Sequence, residues 1–196
     1  VRKGSKQGRL SFLVFIIILG LESARQAVAS LKKGRRIEEL EQFALNDSMT
    51  GFYNRNAYDY FIYNEKNIKN YMVVTFDLNN LKMCNDNYGH SSGDAYIIHS
   101  AHIIETTFDR FGKCYRIGGD EFCCLIPDAA EFQIERFIQK MQQDIAILNN
   151  KNIIPTEVGI ACGYALATPD DADIEKVRER ADEMMYHNKK VLKGLI

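Results

Sequence analysis

Residues 114–126, CYRIGGDEFCCLI, leave this chain few ways to fold. Tyr115 and Ile117 alternate with polar neighbours, and Phe122 to Ile126 form an apolar run of strand character. Between them, Gly118-Gly119 marks a tight turn, where the pair is expected to supply the positive φ angles of a hairpin. The segment therefore reads as a β-hairpin, with Asp120 and Glu121 at the mouth of its second strand. Carboxylates beside buried strands are costly unless something positive neutralises them. A bound divalent metal would do so. A solvated acidic turn would avoid the cost, and the hairpin alone leaves both readings open.

The 196 residues suffice for one domain plus an appendage, and 46% hydrophobic with 26% charged residues suits a globular core. A net charge of −1 excludes nucleic-acid binding held by bulk electrostatics. Five cysteines, an odd number without CxxC spacing, argue against a disulfide framework and a zinc site. They read as reduced core residues of a cytosolic domain. The chain begins at Val1 and is expected to be a fragment of something longer.

Residues 10–21, LSFLVFIIILGL, carry no charge and are bracketed by Arg2, Lys3, Lys6 and Arg9 on one side and Glu22 and Arg25 on the other. As a helix they cover about 18 Å, short of the roughly 30 Å of a bilayer core. Three readings fit: a membrane span extended toward Leu31 by snorkelling Glu22 and Arg25, a signal-peptide core, or a helix packing on a partner chain. The apolarity of the run favours the membrane-proximal reading. Residues 22–46 read as a linker helix with two narrow stripes. One is Ala24, Val28 and Leu31; the other is Ile37, Leu40 and Ala44. Such stripes suit a helix pair. The expected organisation is thus an apolar segment 1–21, a linker helix 22–46 and a domain 47–196.

Within that domain, residues 47–55, DSMTGFYNR, form a turn leading into a helix over 54–65. Residues 71–78, YMVVTFDL, make a central strand ending near Asp77. A polar loop or short helix spans 79–90. Residues 94–108 form a helix with Ile97, Ile98, Ala101, Ile104 and Phe108 on one face. After the hairpin come a helix over 129–148, a strand over 157–167 and a last helix over 171–190, with Ile174, Val177, Ala181 and Met184/Met185 facing inward. Hairpin-joined strands among helices predict an α+β fold: a mostly antiparallel sheet flanked by helices, ferredoxin-like or polymerase-palm-like, behind the linker helix. That fold brings Asp77 within reach of Asp120 and Glu121, three carboxylates able to hold one or two Mg²⁺ ions.

Four motifs carry a family resemblance. Residues 118–122 read GGDEF, preceded by Arg116. DSMTGFYNR resembles D-x-L-T-G-L-x-N-R. Residues 76–94, FDLNNLKMCNDNYGHSSGD, resemble F-D-[IL]-D-x-F-K-x-[IV]-N-D-x-x-G-H-x-x-G-D. Residues 181–190, ADEMMYHNKK, resemble A-D-x-A-[LM]-Y-x-A-K. In this order they resemble the GGDEF family, the diguanylate cyclases. The resemblance implies condensation of two GTP into cyclic di-GMP with loss of two pyrophosphates, across a homodimer. It also implies two Mg²⁺ (or Mn²⁺) ions per site, held by Asp77, Asp120, Glu121 and the carbonyl of Leu78. It places the phosphates on the amides of Asn80 and Leu81, near Lys82, Lys189 and Lys193, and the nucleotide close to the backbone at Gly118 and Gly119. It assigns guanine reading to Asn85 and Asp94, whose polar groups would be left unpaired by adenine. It implies a cytoplasmic catalytic domain controlled by an upstream sensor domain, and the membrane-proximal reading of residues 10–21 would then anchor it to the inner face of the cytoplasmic membrane.

Three departures stand out. Asn79 occupies a position where the family often has a second aspartate, and Leu81 replaces a phenylalanine. The tail reads VLKGLI instead of G-R-N-R, so Lys193 stands where an arginine would fork onto a phosphate. The inhibitory product motif Arg-x-x-Asp would fall at 109–112, which read Asp109-Arg110-Phe111-Gly112, so no inhibition through that site is expected.

Overall fold

The structure, a computed structural model, describes residues 3–65, 69–129, 133–192 and 194. Two units divide at Phe43 and Ala44. In the first, α1 (Lys3–Leu45) includes a stretch, Leu10–Lys33, of 24 residues, with a mean hydropathy of 1.8 over an 18-residue window, long enough and apolar enough to cross a membrane. Leu10, Phe12, Phe15, Ile16, Ile17, Ile18 and Leu19 on it are all exposed. The side chains of residues 34–43, with Ile37 and Leu40 of the second stripe, lie outside the described set, as does Lys193.

In the second unit, α2 (Arg55–Asn64) starts at Asn54, whose side chain accepts from the Ala57 amide. Then follow β1 (Met72–Asn79), α3 (Leu81–Tyr88), α4 (His90–Phe108), β2 (Lys113–Arg116), β3 (Glu121–Ile126), α5 (Ile134–Asn150), β4 (Gly159–Leu166) and α6 (Ile174–Leu192). The strands form one antiparallel sheet in the order β2-β3-β1-β4. This is the predicted ferredoxin-like α+β arrangement, with α3 and α4 supplying the first crossover and α5 the second.

Every residue of β1 is buried, because helices cover both sides of the sheet. Met72, Val74, Phe76 and Leu78 face α3, α4 and α5 in one core; Val73, Cys123 and Leu125 face α2 and α6 in the other. That double burial explains why the strand reads as a continuous apolar run. All five cysteines are buried and free. Two inward assignments need correction. Ile98 of α4 is exposed and Ile103 takes a core position, because the buried stripe of that helix turns toward α5; Met184 of α6 is likewise exposed.

One ion pair ties the start of the domain to the hairpin. Asp47 Oδ1 accepts from the amide and hydroxyl of Thr50 at 2.9 and 2.8 Å, closing a turn in which Gly51 adopts φ +77°. Arg116 Nη1 donates to the same carboxylate at 3.1 and 3.2 Å, and Arg116 Nη2 donates to the Gly119 carbonyl at 2.8 Å. Burial alone would raise the Asp47 pKa, but Thr50 and Arg116 outweigh it and hold the carboxyl below its ordinary value.

Two outcomes are expected. Because the folded-state value is lowered, the stability from Asp47 is fully present above the ordinary 3.8 and is lost as pH falls through the lower folded value. Asp47→Asn should therefore cost about 2 kcal/mol near neutrality and flatten the acid limb of a urea-midpoint profile. A Cβ at Gly163 on β4 would lie 2.2 Å from both the Ala181 carbonyl oxygen and the Met185 amide of α6. Gly163→Ala should thus lower stability by roughly 3 kcal/mol, as measured by chemical denaturation.

Candidate active site

Antiparallel register sets Asp77 of β1 directly opposite Glu121 of β3, which places both side chains on one face of the sheet. The turn is bonded to both strands. The Leu78 amide donates to the Asp120 carbonyl at 3.0 Å, and the Ile117 and Gly118 amides donate to the Glu121 carbonyl at 3.0 and 3.2 Å. The glycines do not play the part the hairpin reading gave them, since neither has φ in the left-handed region. A Cβ at Gly118 would crowd the Glu121 side chain, 2.9 Å from Oε2 and 3.2 Å from Cβ, and that exposed side chain would have to shift. A Cβ at Gly119 would meet nothing within 4 Å, so this residue lies open. Glu121 is exposed and Asp120 half-buried, and among the described residues neither has a cation within ion-pair distance.

Asp77 differs from both. It is only 7% exposed, and its Oδ1 is shut off from solvent with no hydrogen-bond donor aligned on it. Lys189 Nζ, from the last turn of α6, lies 2.6 Å from that oxygen, an ion pair by distance. Among the described residues no three His, Cys, Asp or Glu groups are gathered closely enough to hold a metal ion. The predicted convergence is therefore partial: Asp77 and Glu121 are register neighbours and Asp120 adjoins them, but Asp77 holds an ammonium. The donor set fits a divalent ion, because a buried carboxylate oxygen already draws a cation and a second carboxylate faces it across the ladder.

A cleft of about 430 Å³ adjoins the turn, lined by Leu78, Asn80, Leu81, Lys82, Met83, Asp86, Asn87, Asp120 and Lys189. It brings together six of the predicted residues: Leu78, Asn80, Leu81, Lys82, Asp120 and Lys189. Asn80 has φ 61° and ψ 14°, a left-handed conformation that asparagine tolerates better than most side chains. It turns the chain from β1 straight into α3 and makes no side-chain cap. The first amides of α3 are thus left for another acceptor, as suits an anion.

Asn85 and Asp94 do not line this cleft. They lie on α3 and α4, near the joint at Gly89, which has φ 82°. Asn85 is half-buried against α4: a Cβ at Gly93 would lie 1.9 Å from its Oδ1. Asp94 is exposed beside it. Tyr96, fully buried on α4, holds the sheet end under this joint. Its hydroxyl donates to the Asn79 carbonyl at 2.6 Å and accepts from the Gly159 amide at 2.7 Å. Burial pushes the Tyr96 phenol up to about 12, so it stays a donor.

Three features of the site were not part of the sequence reading: an ion pair, the left-handed backbone of Asn80 and a buried phenol. The Asp47–Arg116 pair was visible only as opposite charges in two separate motifs. The strained Asn80 could have been suspected from asparagine at a strand-to-helix turn. Tyr96 gave no signal, because its partners are backbone groups.

A family model described as diguanylate cyclase, GGDEF domain, matches residues 44–193. The chain is 30% identical over 209 residues to the bifunctional diguanylate cyclase/cyclic di-GMP phosphodiesterase MucR of Pseudomonas aeruginosa, covering 95% of this chain and 30% of that protein. It is 31% identical over 157 residues to the diguanylate cyclase DgcN of Escherichia coli K12, covering 77% and 38%. It thus spans less than half the length of these relatives. Among solved structures, the coiled coil and GGDEF domain of DgcB from Caulobacter crescentus, in complex with c-di-GMP, matches with a TM-score of 0.72 and 23% identity, over 86% of this chain and 94% of that one. That likeness carries the fold. With the family match running through both strands and the turn described above, this chain belongs to the GGDEF family.

Proposed function

We propose that the domain condenses two GTP molecules into cyclic di-GMP, releasing two pyrophosphates. The observation that carries this reading is the register pairing of Asp77 with Glu121 beside a cleft that opens on the uncapped end of α3. In each half-reaction the 3′-hydroxyl of one GTP attacks the α-phosphorus of the other. A phosphodiester forms, the bond to the pyrophosphate breaks, and the hydroxyl proton passes to solvent water. Charge neutralisation and in-line placement are what such a transfer needs. The first amides of α3, with Lys82 and Lys189, receive the triphosphate. Asn85 and Asp94 read the guanine edge, and Lys193 is assigned to the terminal phosphate. Gly119, open to the outside, lets the nucleotide approach the backbone.

Asp77, Asp120 and Glu121, with the Leu78 carbonyl, would hold Mg²⁺ or Mn²⁺, two ions per site. Bound there, the metal would stabilise the developing negative charge and lower the pKa of the attacking hydroxyl. Each domain holds one GTP, so the product requires a homodimer. The exposed apolar stretch Leu10–Lys33 supports membrane anchoring, with the domain on the cytoplasmic side.

A second reading, a GTP-binding domain with weak or no turnover that regulates a partner, is favoured by Asn79 in place of an aspartate and by Lys189 seated on Asp77. Purified protein with GTP and Mg²⁺, scored for cyclic di-GMP by chromatography, separates the two. Glu121→Ala is expected to lower turnover roughly a thousandfold while the exposed position leaves the fold intact by circular dichroism. GTP binding without product in the parent protein would favour the regulator instead. Asp94→Ala should reduce the preference for GTP over ATP by about 100-fold in a competition binding assay, because the carboxylate partner of the guanine edge is gone.

A further inference from the structure

We propose that Lys189 is an internal counter-cation that metal and triphosphate displace together, so that the two bind as a coupled pair. The inference rests on the reading of Asp77 as a metal ligand and concerns what this chain does before either arrives. Asp77 Oδ1 has no solvent and no aligned hydrogen-bond donor, and a carboxylate in that setting is costly unless paired. Lys189 Nζ, 2.6 Å away, is the one cation within ion-pair distance among the described residues. A divalent ion on the same oxygen would meet the ammonium at contact distance, and their repulsion in a partly buried site is strong. Metal alone is therefore opposed by the resident lysine.

Triphosphate removes the obstacle. Lys189 also lines the cleft at the start of α3, so an ammonium leaving Asp77 stays among the groups that face the phosphates. Its side chain is 25% exposed on a flexible four-carbon stem, and it carries a compact point charge that needs no fixed geometry. An anion that draws Lys189 away vacates Asp77 for the metal, and a metal that occupies Asp77 frees Lys189 for the anion. Linkage makes the coupling reciprocal.

The test reads metal binding without turnover. Free Mn²⁺ is titrated by electron paramagnetic resonance against the full chain, with and without 3′-deoxy-GTP, which lacks the attacking hydroxyl, and Mn²⁺ bound by the analogue alone is subtracted. The parent should bind Mn²⁺ weakly alone and at least about tenfold more tightly with the analogue. Lys189→Met should bind Mn²⁺ alone about tenfold more tightly than the parent and lose most of the gain from the analogue, whereas Lys189→Arg, which keeps the charge, should not gain. Lys189→Gln provides a polar second variant. Should either uncharged variant be destabilised, saturating Mn²⁺ is expected to restore its melting temperature, and destabilisation that Mn²⁺ does not relieve would overturn the proposal. Unchanged Mn²⁺ affinity in Lys189→Met and Lys189→Gln, with the parent still taking up Mn²⁺ alongside the analogue, overturns the exchange and leaves the metal assignment of Asp77 standing. Failure of the parent to take up Mn²⁺ under any condition, or tight binding that survives Asp77→Asn in the Lys189→Met background, overturns that assignment and the exchange with it.

Discussion

The backbone ladder between β1 and β3 is the constraint on which the rest depends. Antiparallel pairing fixes which residue of one strand faces which of the other, and a slip of one position would send Asp77 to the opposite face. The register is held from both sides. Val74, Phe76 and Leu78 are buried in one core and Val73 in the other, so no neighbouring register buries the same atoms. The acidic residues at the end of the ladder are therefore set in place by apolar residues well behind them.

Helices then add what a sheet cannot. α3 brings the end of a helix to the mouth of the ladder through a single left-handed residue, Asn80. α6 brings a cation to the same place from the other side of the sheet. Asp47, at the very start of the domain, reaches the turn through Arg116, which also grips the Gly119 carbonyl. Strand, helix ends and domain entrance thus meet at one turn of four residues, and the chemistry available there is that of several charges held close together on stiff supports.

Much of this was legible in the sequence, for identifiable reasons. The strands were readable because β-branched and aromatic residues concentrate in 71–78 and 122–126, and their hairpin connection limited the sheet to an antiparallel one. The acids could be placed because they end those strands. Less legible were features governed by backbone geometry or by groups distant in sequence. Gly118 and Gly119 suggested positive φ, but the turn is built without it. Periodicity put Ile98 inside because it resolves a face only to about one position on a helix whose buried stripe is wide. The pairing of Lys189 with Asp77 links residues more than a hundred positions apart, and lysines near helix ends are common enough that nothing local marks this one.

The hydroxyl of Tyr96 has a consequence for how cheaply a ligand can be held. Asn79 and Gly159 are the last partners of the β1–β4 ladder, where a sheet ordinarily frays. A buried phenol bridging their backbone groups pins that end. The loop at Asn80 and the helix behind it therefore start from a fixed anchor. The main chain of this cleft wall is set before a molecule enters, so little affinity is lost to ordering the backbone there, and the rearrangement is left to the Lys189 side chain.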